Sequence, residues 1–300
     1  MTNKYLKLAK IGKNQWWRYL LSLPTILFFW IIIGSIVAII FASIDPNLFF
    51  NSQTGELEAT NDPIGSYIYL NLPFVFWGLG LYLAVRFIHQ RSFLSLITPK
   101  KQIDMPRIIE GFGVYLALLA IWEIINYFIF QGDYQLNFDL QKFIIFLPIA
   151  LFFTSIQTTV EELFFRGYLM QWLGLKLNST LVTLISALIF ASVHLLNPEV
   201  VNSEEPIIIW LAVYGAIGIF WSIITIKDNR LELAIATHAA NNLYIALLVN
   251  YESSALTSPA IFIIPQELNP YLSLITIIII NAIAYSIFFR KKDPQISPKY

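Results

Sequence analysis

Two adjacent carboxylates and an arginine, Glu161, Glu162 and Arg166, stand inside one of the most apolar stretches of this 300-residue chain. Two more polar clusters interrupt later apolar stretches: Phe190 with His194, and His238 with Asn241 and Asn242. Ionisable groups at membrane depth are costly, so each marks a functional site by default. Carboxylates, two imidazoles and an amide are the groups that activate a water and stabilise the oxyanion formed when it attacks a carbonyl.

Helical spacing assigns roles. Residues four apart share a helix face. Glu162 and Arg166 have that spacing, acid first, which suits an ion pair. Glu161 is rotated about 100° from Glu162 and has no basic partner at helical spacing. Arg166 therefore holds Glu162 and leaves Glu161 for chemistry. Gln157 and Thr158, one turn earlier, are placed to orient Glu161 and Glu162 respectively. His238 shares a face with Asn242, as Phe190 does with His194. The turn Lys176-Leu177-Asn178-Ser179 lies about as far after Glu161 as before His194. An antiparallel hairpin of 161–176 and 179–194 thus sets those two at one depth. A span beginning near Arg230 places His238 about 12 Å from its start. Three helices then deliver Glu161, His194, His238 and Asn242 to one cavity, expected to open toward the cytoplasm. The reaction class is peptide hydrolysis. Glu161 takes a proton from water shared with His194, while His238 and Asn242 donate to the oxyanion.

The elements that carry these residues are membrane helices. The chain is 57% hydrophobic and 13% charged, against about 25% charged in soluble domains. A crossing helix needs about 20 mostly apolar residues. The candidates are 22–44, 66–89, 108–130, 142–165, 180–197, 206–226, 231–250 and 270–289. The expected fold is all-α: a polytopic membrane bundle of about eight transmembrane helices. It forms a single membrane domain over 1–300, with 142–250 as its catalytic core. Lys and Arg favour the cytoplasmic side. With eight spans, all of the 19 basic residues except Lys142 fall on one side. That side holds both termini, including Lys291, Lys292 and Lys299. Asp45, Glu56, Glu58, Asp62, Asp133, Asp139, Glu199, Glu204 and Glu205 fall on the other. The basic residues act as topological anchors and not as a nucleic-acid patch.

Several chemistries are excluded. The chain has no cysteine, so disulfides, thiolate metal sites and a cysteine nucleophile are out. It lacks a zinc-protease His-Glu-x-x-His, a Gly-x-Ser-x-Gly elbow and a glycine-rich phosphate loop, so no nucleotide is expected. The start of the chain shows no small-residue cleavage pattern, so no cleavable signal is expected. His89 is read as a satisfied core residue, Glu123 and Asn126 as packing groups. Gly215 and Gly218 are read as points of close helix approach. A transporter using Glu161 and the histidines as a proton relay would call for inverted repeats, which the sequence lacks.

At these residues the chain resembles the CPBP (Abi) family of CAAX prenyl endopeptidases and bacteriocin-processing or immunity proteins. That family is marked by Glu-Glu-x-x-x-Arg, Phe-x-x-x-His and His-x-x-x-Asn. Here these are Glu161-Glu162 with Arg166, Phe190 with His194, and His238 with Asn242, in order, with Gly167 after the arginine. The resemblance covers roughly 142–250. It implies an eight-helix intramembrane endopeptidase in which Glu161 and His194 activate water and His238 and Asn242 form the oxyanion site. Its substrate would be a membrane-associated peptide or protein, lipidated in the best-known cases, drawn from the bilayer. The short loops look bacterial, which implies a multi-pass protein of the plasma membrane. Family members are often labelled metalloproteases. If zinc is bound, Glu161, His194 and His238 would be its ligands. Asn242 is a poor zinc ligand and Arg166 would repel the ion, so no cofactor is favoured. The alternative is a non-hydrolytic immunity or peptide-binding protein with the same cavity.

Overall fold

The computed structural model of the chain describes residues 3–45, 48–50, 57–59, 63–129, 134–255, 257–265 and 268–290. Lys291, Lys292, Lys299, Glu56, Asp62 and Asp133, used above for orientation, lie outside them. Among the described residues six helices are long and apolar enough to cross a membrane: α1 (Trp16–Ile44), α2 (Pro63–Ile88), α3 (Met105–Ile129), α4 (Leu140–Leu173), α6 (Ile207–Asp228) and α8 (Pro270–Phe288). Between them lie α5 (Ser179–His194) and α7 (Glu232–Leu247), each of 16 residues. At 1.5 Å per residue these reach only about 24 Å, short of the roughly 30 Å apolar core. Six of the eight expected spans thus meet the length and apolarity of a crossing helix among the described residues, and the other two are occupied by shorter helices. The reason is visible in α7, which is sheathed by protein: Leu233, Ala234, Thr237, His238, Ala240 and Leu243 are all buried. A helix without a lipid face need be neither long nor uniformly apolar. The outer helices show the opposite pattern. Ile31, Ile39, Ile121, Phe128, Ile278 and Ile283 point outward and exposed, as a lipid-facing surface requires.

Local chemistry sets the helix ends. The Asp139 side chain accepts from Lys142 N (3.0 Å) and that of Asn178 from Leu181 N (3.0 Å), which caps α4 and α5. Asn269 caps α8, with Pro270 in its first turn. Asn229 closes α6 in the left-handed conformation (φ 56°). Inside α4 the stretch Leu163–Leu169 is π-helical and starts one residue after Glu162. Such segments recur at functional sites.

α7 packs on α3 and α4, α5 on α6, and α1 on α2. Gly218 lets α5 and α6 close up, since a Cβ there would meet Ala187 Cα at 3.0 Å; a Cβ at Gly215 meets nothing within 4 Å. The close-approach expectation thus holds for Gly218 and fails for Gly215. Small sheets join the loops, which the all-α expectation did not include. β1 (Leu48–Phe50) pairs antiparallel with β2 (Leu57–Ala59). β3 (Gln135–Leu136) pairs antiparallel, and β4 (Val249–Tyr251) parallel, with β5 (Phe262–Ile264). His89 is satisfied as expected: Nδ1 meets Lys13 O at 2.9 Å, and Nε2 meets Ser22 and Tyr168 hydroxyls at 3.1 and 2.9 Å. Glu123 accepts from the Tyr134 and Tyr244 hydroxyls, a packing role.

At the basic end a chain of ion pairs ties the start of α3 to the end of α6 and the turn that follows it. Asp104 meets Lys100 and Arg230, while Asp228 meets Arg230 and Arg107. Several expected anchors are thus also structural staples. The Lys100 ammonium, then the Arg230 guanidinium, lower the Asp104 carboxyl to about 2. A folded-state value below the unfolded one stabilises at neutral pH, and that stability fades as pH falls from about 4 toward 2. The expected result is a small fall in Tm between pH 5 and pH 3, because solvent screens such pairs. In detergent, Asp104→Asn protein should lose less Tm over this interval than the native protein. Identical slopes would refute the assignment.

Candidate active site

α4 supplies Gln157, Glu161, Glu162 and Arg166. Arg166 Nη1 donates to Glu162 Oε1 at 2.8 Å, and both side chains are fully buried. The expected ion pair forms. Its guanidinium also lies 4.3 Å from the Phe190 ring centroid and 5.2 Å from that of Trp221, and Nη2 reaches Gly218 O at 3.4 Å. Glu162 has a second partner that spacing did not reveal: His238 Nδ1, at 2.9 Å. The histidine stacks on Trp221, with ring centroids 3.9 Å apart. Trp221 is thus a site residue that sequence reasoning missed. Its signal in the sequence was weak, one tryptophan among eight in an apolar chain.

Glu161 is held differently. Gln157 Nε2 donates to its Oε1 at 2.8 Å, and Asn242 Nδ2 donates to Gln157 Oε1 at 3.1 Å. Gln157 orients Glu161 as expected. Thr158 does not orient Glu162, because its hydroxyl donates to Thr154 O at 2.8 Å. Asn241 is not free to replace Asn242, since its Nδ2 donates to Asn242 Oδ1 at 3.0 Å. Glu161 Oε2 lies 3.9 Å from His238 Nε2 and has no hydrogen-bond partner in the protein.

The hairpin register agrees with the equal-depth expectation. Phe165 and Phe190 meet edge to face at 5.3 Å, and Ser186 Oγ donates to Phe165 O at 3.2 Å. One turn beyond Phe190 is His194, the last residue of α5, whose Nδ1 lies 2.7 Å from Phe190 O. A carbonyl can only accept, so Nδ1 carries the proton and Nε2 is left as an acceptor.

Glu161, His194, His238 and Asn242 line one cavity of about 440 Å³, a size typical of ligand sites. The sequence-predicted residues are therefore brought together. Beyond the site the walls come from Asn197, Tyr214, Tyr251, Ser254 and Leu268, at the end of the bundle that carries the acidic loops. No described residue of the basic loops 89–104, 174–178 or 229–231 lines it. The cause is the filling below the site: Arg166, Glu162, Phe190 and Trp221 are buried and close that end. Among the described residues no three His, Asp or Glu side chains converge as metal ligands. His194 does not join Glu161 and His238 around one point, and His238 Nδ1 is already bonded to Glu162. The ligand set expected for zinc is not assembled, and no step below passes through a metal.

The fold and site define a multi-pass membrane protein with a carboxylate–histidine cavity inside its helical bundle. The family described as Rce1-like, type II CAAX prenyl endopeptidase, matches residues 141–244. Uncharacterized protein YyaK of Bacillus subtilis (strain 168) is 31% identical over 291 residues, covering 94% of this chain and 95% of the relative. The chain belongs to the Rce1-like CAAX protease (CPBP/Abi) family, and that membership implies an intramembrane protease.

Proposed function

We propose that the protein is a bacterial membrane endopeptidase that hydrolyses a membrane-associated peptide or protein with a water activated by Glu161 and His194. The observation that carries this reading is that Glu161, with Oε1 fixed by Gln157 and Oε2 without a hydrogen-bond partner in the protein, lines one cavity with His194, His238 and Asn242.

Water bridging Glu161 Oε2 and His194 Nε2 gives up a proton to Glu161 as its oxygen attacks the scissile carbonyl. The oxyanion takes a hydrogen bond from Asn242, whose amide has two N–H groups and commits one to Gln157. His238, anchored at Nδ1 by Glu162, supplies the second hydrogen bond to the oxyanion from Nε2. Collapse of the intermediate breaks the C–N bond, and the proton passes from Glu161 to the leaving amine. Glu162 and Arg166 position His238. The catalytic core is 142–250, within a single membrane domain over 1–300; Trp30, Trp77 and Leu268 complete the cavity from outside that core. With both termini cytoplasmic, the cavity faces the opposite side of the plasma membrane, and substrate enters there or from the bilayer.

The test compares peptide termini in membranes of cells making the native protein or His194→Ala at equal abundance. New termini with the native protein alone, reduced at least tenfold in the variant, are expected. Identical profiles with both proteins folded would favour the non-hydrolytic peptide-binding reading.

A further inference from the structure

A second carboxylate faces the same cavity and takes no part in the chemistry above. Glu199 lies in the short helix Pro198–Val201 that follows His194. It is 5% exposed and lines the cavity. Its Oε1 accepts from Asn197 Nδ2 at 3.0 Å and from the Tyr214 hydroxyl. Its Oε2 is buried without a hydrogen-bond partner. Among the described residues Glu199 forms no ion pair, and no Lys or Arg lines the cavity. A buried carboxylate without a cation is costly. One held in place by two donors is kept for an incoming charge. A cationic group brought by the substrate would supply the neutralising partner that the described lining lacks.

We propose that Glu199 anchors a cationic group of the substrate, a protonated amine or a guanidinium. The inference rests on the reading above in one respect, that a peptide occupies the cavity. The anchor is close to the reacting centre: the Tyr214 ring that bonds Glu199 stacks on His194 with centroids 4.7 Å apart. The cation therefore sits within about three extended residues of the bond to be cut. A lysine or arginine side chain and a free amino terminus share this chemistry.

The test uses binding, so it does not depend on cleavage. Full-length Glu161→Ala protein in detergent is immobilised and offered random ten-residue peptides, half of them N-acetylated. Retained peptides should be enriched about tenfold in cationic groups, the worth of one charge-assisted hydrogen bond. Enrichment in Lys and Arg regardless of acetylation identifies a side chain; enrichment confined to unacetylated peptides identifies the amino terminus. Adding Glu199→Gln, which still accepts from Tyr214, should abolish the enrichment while neutral peptides bind as before. Glu199→Asp and the exposed-loop control Glu204→Gln should keep it. No cationic preference in the parent protein, or a preference that survives Glu199→Gln, overturns the proposal. Glu161-dependent cleavage without this preference sinks the anchor alone. The preference without cleavage sinks the hydrolytic reading alone.

Discussion

Glu161→Gln protein will fold normally and lose peptide-bond hydrolysis by roughly 10³-fold or more in kcat, the upper part of the range for a positioned general base. The glutamine oxygen can still accept from Gln157, so the hydrogen bond that fixes this side chain at 2.8 Å is retained. The amide nitrogen that replaces Oε2 can neither take a proton from water nor return one to the leaving amine. A substitution that removes chemistry and leaves binding contacts lowers kcat and kcat/KM together, with KM nearly unchanged. The measurement is cleavage of one peptide identified from the membrane termini, with the Tm of each protein as a control. A kcat within tenfold of the native value would remove Glu161 from the base role.

Arg166→Met has the largest expected effect on stability. Glu162 and Arg166 are both fully buried, and breaking such a pair leaves a charge in the interior, at a cost of about 3–5 kcal/mol. The arginine also lies over the Phe190 and Trp221 rings, which adds cation–π attraction. Total stabilities of about 5–15 kcal/mol leave little reserve for such a loss. Thermal unfolding in detergent should show a large fall in Tm. The pair Glu162→Gln with Arg166→Met should recover part of it, because no unpaired charge remains. Recovery will be incomplete, since Glu162 also fixes His238 Nδ1. An unchanged Tm in the single variant would show that the pair is not structural.

Much of the site is legible in the sequence because helical geometry is local. The Glu162–Arg166 pair, the Gln157 bond to Glu161 and the shared depth of Glu161 and His194 follow from residue counts along α4 and α5. What spacing cannot show is contact between helices distant in the chain. The bonds from His238 to Glu162 and from Asn242 to Gln157, and the Trp221 stack, each link α4 or α6 to α7. The shortness of α7 also has a tertiary reason. Hydropathy rules assume a lipid environment, and α7 is surrounded by protein. Its small residues satisfy neighbouring helices instead.

The direction of the cavity belongs to the same class. Charged loops in the sequence orient the bundle, but which end is plugged depends on where side chains of three helices meet. Arg166, Phe190 and Trp221 pack across helix boundaries and close the basic end, so the polar lining runs the other way. Glu199, counted from the sequence only as a loop charge, becomes a buried wall of the cavity through bonds to Asn197 and Tyr214. The sequence by itself determined the membrane class, the family and the set of polar groups that meet at the cavity, because composition and helical period are properties of the chain. The tertiary structure alone decided that His238 Nδ1 meets Glu162, that Asn242 bonds Gln157 and that Glu199 lines the cavity, because those depend on partners that no local period encodes.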